Sequence, residues 1–166
     1  MNPRLPVFLS YAHEDKPYLE EFVTHLKPLQ MQDMVCAWSD LDLAPGAEWA
    51  KDIGISIDNA RAAVLFVSQH FLASDFVRKS ELPRLLNKRK SKGLPILPLM
   101  VGHCVFELAT FKYPDPDVGP DEFVLSSIQT VNKPDKPLSS LQPSQRNEVF
   151  ARLAQQLHKI WKGEAG

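Results

Sequence analysis

The sequence predicts an α/β fold built on a mostly parallel sheet, and three observations predict it. Short apolar runs recur along the chain, "VFLSYA", "MVCAWSD", "AAVLFVS" and "LPILPLMVGHC"; the clearest of them suit strands buried on both faces. Between them lie stretches whose apolar residues recur at helical spacing, so strand and helix alternate. The composition, 166 residues with 44% hydrophobic and 23% charged, is that of a soluble globular chain with room for one good core.

Taken in order, Val7 to Ala12 follows Pro6 and reads as the first strand. Tyr18, Phe22, Leu26 and Leu29 form the apolar face of the first helix. Glu14 and Asp15 ahead of them favour its N-terminus, and Pro28 should end it or kink its last turn. Met34 to Asp40 reads as the second strand. "LDLAPGAEW" is a loop, because Pro45-Gly46 is a turn signal. Trp49, Ile53 and Ile57 recur every four residues and make a short amphipathic helix. Ala62 to Ser68 is the clearest buried strand.

Ser74 is placed to cap the helix that follows, which carries Val77, Glu81 and Leu85 on one stripe. Pro83 has no amide proton for the carbonyl of Lys79, so the helix should be kinked or restarted beside Glu81. The next apolar run contains Pro95 and Pro98, which place it nearer an edge or bound its ends. "YPDPDVGPDE" is a Pro/Asp loop, "FVLSSIQTV" reads as a last strand, and Ser144 can cap a final helix with Phe150, Leu153, Leu157, Ile160 and Trp161 on its apolar face.

Composition also excludes. A net charge of −1 gives no electrostatic reason to expect nucleic acid. Cys36 and Cys104 lie in apolar runs and read as buried free thiols in a reducing compartment. The N-terminal apolar run is too short for a signal peptide, and no run reaches membrane length; the expectation is a cytoplasmic protein without a membrane partner. One domain over residues 1–166 is expected, equally compatible with the N-terminal domain of a longer chain.

No Gly-rich phosphate loop follows a strand, so a dinucleotide-fold dehydrogenase or a nucleotide triphosphatase is disfavoured. A phospho-receiver would need an aspartate where the third strand ends in Val67-Ser68. The histidines 13, 25, 70, 103 and 158 are scattered, with no metal-ligand spacing, so no metal is expected. Ser10, Ser68 and Ser74 lie in no nucleophile elbow, and turn or cap bonding is their default. The stretch "RKSELPRLLNKRKSKG" carries seven basic residues against one acid. It reads first as a solvated helix face, and more weakly as a phosphate-binding or partner-docking patch. Glu81 itself is open on pattern alone: either a surface residue beside two apolar neighbours or a partly desolvated carboxylate at the lip of a pocket. In parallel sheets ligands bind beyond the carboxyl ends of the strands, at the switch point, and "SYAHED", "SDLDLAPGAEW" and "SQHFLASDF" lie there.

Three blocks, "VFLSYAHED", "LDLAPGAEWAKDI" and "AVLFVSQHFLASDFVRKSELPRLL", in this order and spacing, resemble the TIR (Toll/interleukin-1 receptor) domain, and its bacterial NAD-cleaving branch in particular. The match covers residues 5–102 well and the C-terminal third loosely. The resemblance implies a flavodoxin-like three-layer sandwich, a five-stranded parallel sheet with helices on both faces. In the enzymatic members a Glu-Leu on the helix after the third strand carries the catalytic glutamate, here Glu81-Leu82. The implied activity is that of an NAD+ nucleosidase, releasing ADP-ribose or a cyclic or variant product, with NAD+ as substrate and no cofactor.

The same resemblance implies a pocket floored by Ser10, Tyr11 and Ala12 and flanked by Asp40 and Leu43, with Ala44, Pro45 and Gly46 in an assembly loop. Trp49 is either a stacking face or part of the core face it shares with Ile53. Many family members place a tryptophan four residues before the glutamate; this chain has Val77 there, with Phe76 adjacent. The partners implied are other TIR domains, in a homo-oligomer or filament, with room for a sensor domain or a signalling nucleotide acting through another domain. The role implied is bacterial antiphage defence or signalling. The competing readings are a non-enzymatic TIR module that scaffolds a signalling complex and, more weakly, another nucleotide-processing enzyme of the same fold.

Overall fold

A computed structural model describes residues 2–39, 49–111 and 122–163, except for the side chains of 49 and 50. Four parallel strands form the main sheet: β1 (Leu5–Ser10), β2 (Val35–Trp38), β3 (Ala62–Val67) and β4 (Ile96–Met100), in the order β2-β1-β3-β4. The helices are α1 (Lys16–Met31), α2 (Trp49–Asn59), α3 (Gln69–Ala73), α4 (Leu82–Lys92) and α5 (Pro143–Trp161).

Alternation along the central strands builds two cores. Leu5, Val7 and Leu9 of β1 and Ala62, Val64 and Phe66 of β3 pack with Leu19, Phe22 and Leu26 of α1 and Phe150, Leu153 and Leu157 of α5. Phe8 of β1 and Ala63, Leu65 and Val67 of β3 face the other way, onto Ile53 and Ile57 of α2, Phe71 of α3, and Leu82, Leu85 and Leu86 of α4. Strands buried on both faces explain why these runs read as continuous apolar stretches. Ser10 continues the Phe8 face, and Ser68, one residue past β3, continues the Phe66 face. That parity decides which side of the sheet each serine serves.

The sheet has four strands among the described residues where five were expected. The stretch "FVLSSIQTV" yields only β6 (Phe123–Val124), which pairs antiparallel with β5 (Thr110–Phe111) in a separate two-stranded sheet. The outer edge of β4 is met by an irregular segment instead. Val131 N–H donates to Pro98 O (2.8 Å), Met100 N–H donates to Asn132 Oδ1 (2.8 Å), and Asn132 Nδ2 donates to Met100 O (3.0 Å). The amide side chain of Asn132 thus does what a strand backbone would do. Pro98 is the physical reason, because its nitrogen faces that same edge and has no proton for a regular ladder.

Helix ends account for much of the remaining polar sequence. Pro28 does not stop α1, which runs one more turn to Met31. Gly93, at φ 71°, closes α4 in the left-handed conformation. Lys88 donates to the carbonyls of Ile57, Asp58 and Ala60 and so caps the end of α2 from the neighbouring helix. Ser144 lies inside α5 rather than capping it; Gln142 precedes the helix, and its N–H donates to Gln145 Oε1 at 2.9 Å. Cys104 is half-buried, but Cys36, on edge strand β2 and paired with half-buried Pro6, is exposed. No described helix is long and apolar enough to cross a membrane.

Candidate active site

Glu81 ends a wide helical turn, Val77–Glu81, in which Leu82 N–H reaches back five residues to Val77 O. Sequence dictates this locally. Ser74 opens the stretch, its Oγ accepting from Val77 N–H at 3.3 Å, and Pro83 cannot donate to the turn behind it. The helix widens to pass the proline instead of breaking, and such π-turns concentrate at functional positions. Val77 and Leu82 are buried in the second core, while Arg78 points outward and lies over the ring of Phe111, 5.3 Å from its centroid.

The carboxylate is not solvated. Glu81 is 6% exposed, and Ser10 Oγ–H donates to its Oε1 at 2.6 Å across 71 residues of sequence. A hydroxyl–carboxylate bond of this length is in the charge-assisted range. The two residues come from the end of β1 and from the helix after β3. These adjacent central strands lead into helices on opposite faces, which is the switch point where parallel sheets hold ligands. Val77 and Glu81 therefore bound one wide turn beside the end of β1, and Phe76, just before it, is half-buried against the second core.

The other expected pocket residues divide. Tyr11 and Ala12 are buried at the same sheet end, but Tyr11 packs into the first core, on the face away from Ser10, and its ring meets His13 edge-on at 6.0 Å. Asp40, Leu43, Ala44, Pro45, Gly46 and the side chain of Trp49 lie outside the described residues.

Two features escape the sequence reading. Trp38, paired in register with Phe8, stacks on its ring at 5.5 Å and 21° and so lies on the Ser10 face of the sheet. Strand parity could have signalled this. The second feature is Asp15, expected only as a favourable charge near a helix start. It is 4% exposed and accepts a hydrogen bond from Ser68 Oγ, while Ser68 Oγ accepts from Phe71 N–H at 3.0 Å and so caps α3. Burial raises the Asp15 carboxyl above its ordinary value, against the bond from Ser68 and the attraction of His70, which lower it.

A four-stranded parallel sheet in the order β2-β1-β3-β4, helices on both faces and a buried carboxylate over the β1–β3 edge define a flavodoxin-like α/β domain with a strand-end site. Residues 7–129 match the family model described as TIR domain. The chain belongs to the TIR domain family.

The uncharacterized protein y4lF of Sinorhizobium fredii (strain NBRC 101917 / NGR234) is 27% identical to this chain over 105 residues. The match takes in 63% of this chain but 32% of that protein, so the chain spans about a third of the relative's length. Among solved structures, the TIR domain of the Toll-related receptor TRR-2 from Hydra magnipapillata is similar at 19% identity and a TM-score of 0.47, covering 69% of this chain and 88% of that one. The TIR domains of the activated Roq1 resistosome, which directly recognises the pathogen effector XopQ, are similar at 20% identity and a TM-score of 0.46, covering 94% and 82%.

Proposed function

We propose that this TIR domain is an NAD+ nucleosidase with Glu81 as its catalytic carboxylate. The observation that carries the reading is the buried Ser10–Glu81 pair, an oriented anion over the ends of the central strands. Nicotinamide is a cationic substituent in NAD+ and leaves neutral, so no general acid is needed. What needs help is the oxocarbenium-like ribose that remains. One carboxylate aimed at it, or bonded to the ribose hydroxyls, favours the transition state over the ground state. Ordinary glycoside hydrolysis needs two carboxyl groups because its leaving oxygen must be protonated. Ser10 holds one oxygen of Glu81, Phe76 stands just before the turn that Glu81 ends, and Trp38 lies on the same face of the sheet as Ser10.

Glu81 is nearly closed off in the single chain, so the ribose must be admitted by a rearrangement. Assembly with other TIR domains through the loop that holds Ala44, Pro45 and Gly46 supplies one. The reading is therefore a nucleosidase that turns over when copies assemble, acting in bacterial antiphage defence or signalling.

The test is release of nicotinamide from NAD+ by concentrated or artificially clustered protein, beside the Glu81→Gln variant. Release by the parent and at least a hundredfold less by the variant is expected, in line with the roughly 10²–10³ that one electrostatic stabiliser supplies. Equal release by both removes Glu81 from its role. No release by clustered parent leaves a TIR interaction module, with Ser10–Glu81 as a structural bond.

A further inference from the structure

The basic run around Glu81 is only partly accounted for by the fold. Lys88 caps α2 and Arg78 lies over Phe111. Arg89 lies over the ring of Phe123, 5.8 Å from its centroid, and together with Lys90 borders a cavity of about 910 Å³ at the opposite end of the sheet from Glu81. It opens where β4 begins, between the last turn of α4, the segment 128–131 and the last turns of α5. β4 spans the distance to the strand-end edge, roughly 15 Å at about 3.3 Å per residue.

The lining has three parts. Leu94, Ile96 and Ile128, all of the second core, form a buried apolar floor. Arg89, Lys90 and Lys159 supply positive charge, and no acidic residue lines the cavity among the described residues. Gln156 Oε1 is buried on the wall with no hydrogen-bond partner among the described residues, an acceptor waiting for a donor. Basic residues in a last helical turn answer the dipole of their own helix, which accounts for the charges singly. It does not account for two such ends enclosing an apolar-floored space of the size that holds small molecules.

We infer that this cleft binds an organic phosphate of nucleotide size. The phosphate lies against the ammonium groups of Lys90 and Lys159. The planar body covers the apolar floor, and an amino or hydroxyl group donates to Gln156 Oε1. The site is separate from the Glu81 site and independent of its proposed activity.

The probe is AMP, titrated into the whole protein by calorimetry and followed by amide NMR shifts at Gly93, Thr130 and Gly163. Saturable binding at sub-millimolar concentration is expected, with shifts at those amides. The Lys90→Glu/Lys159→Glu double variant changes two exposed side chains; it should keep its circular dichroism and weaken AMP at least about tenfold. Glu81→Gln should leave the affinity within about twofold. Inorganic pyrophosphate, which lacks the planar body, should bind more weakly than AMP. The inference is overturned if AMP does not bind at several millimolar, or if Glu81→Gln rather than the double variant removes binding. Pyrophosphate as tight as AMP, or an acidic peptide that binds where AMP does not, overturns it as well.

Discussion

Two serine–carboxylate pairs straddle the ends of β1 and β3, and they are crossed. Ser10 at the end of β1 donates to Glu81 in the helical region after β3; Ser68 just past β3 donates to Asp15 in the turn after β1. Both carboxylates are buried. The pairs lie on opposite faces of the sheet, because Ser10 shares the parity of Phe8 and Ser68 that of Phe66. Their surroundings separate them. Ser68 also accepts the Phe71 amide in the first turn of α3, so its oxygen is engaged both ways in joining the β1 turn to the β3 turn. Glu81 instead ends a five-residue wide turn forced by Pro83, a backbone state that regular packing alone does not favour. The same chemical pair is used once to fasten the fold and once, in our reading, to aim an anion.

The largest effect that can break this comparison is on turnover. Glu81→Gln keeps an acceptor for Ser10 but loses the charge, so nicotinamide release should fall at least a hundredfold while the melting temperature barely moves. Asp15→Asn should leave release almost unchanged under the same clustering conditions. If the two substitutions lower turnover alike, the pairs are not functionally distinct and the assignment of Glu81 fails. Next in size is Ser10→Ala. The carboxylate loses its Ser10 donor, so kcat should drop by about tenfold with KM little changed, and stability should fall by about 1–3 kcal/mol for a lost hydrogen bond to a buried charged group. A change confined to KM, or none, means that Ser10 does not position Glu81.

The two pairs also differ in how far the sequence revealed them. Ser10 and Glu81 are read as site residues through the resemblance of the three sequence blocks; on pattern alone Glu81 stays open between a surface residue and a pocket lip, and turn or cap bonding is the default for Ser10. Ser68 and Asp15 were each visible as a cap or a helix-start charge, but their contact spans 53 residues. It depends on the exact lengths of two turns, which carry no periodic signal. The same limit explains why no fifth strand joins the parallel sheet among the described residues. "FVLSSIQTV" has strand composition, yet the edge of β4 is closed by Asn132, one side chain beyond that run. Pro98 was readable as an edge marker; what would cover the edge was not. The cap of α5 shows the limit at its smallest, since Gln142 and Gln145 do together what Ser144 was expected to do alone.

A smaller effect probes the wide turn. Pro83→Ala restores a backbone donor and removes the reason for the five-residue reach. The helix should tighten toward regular spacing, rotating Glu81 away from Ser10. Turnover should fall a few-fold while thermal stability rises slightly, the opposite pairing to Ser10→Ala. A variant that gains stability and keeps full activity would show that the wide turn is packing, not aim.

The smallest effect belongs to the fastening pair and reads out in pH. Burial raises the Asp15 carboxyl, so the folded protein holds that proton to higher pH than the unfolded chain, whose aspartate titrates near 3.8. The folded state binds more protons across the window from 3.8 up to the raised value, so the Asp15 contribution to stability is complete below it and lost as pH rises through it. Asp15→Asn can still accept from Ser68 but carries no charge at any pH. Melting temperatures of parent and variant should therefore converge toward acid and separate above the window, with the variant the more stable there. The difference between the two curves isolates Asp15 from the other carboxylates. Parallel curves would mean that the bond from Ser68 and the neighbouring His70 already compensate burial, so that Asp15 is held as comfortably charged as a surface residue.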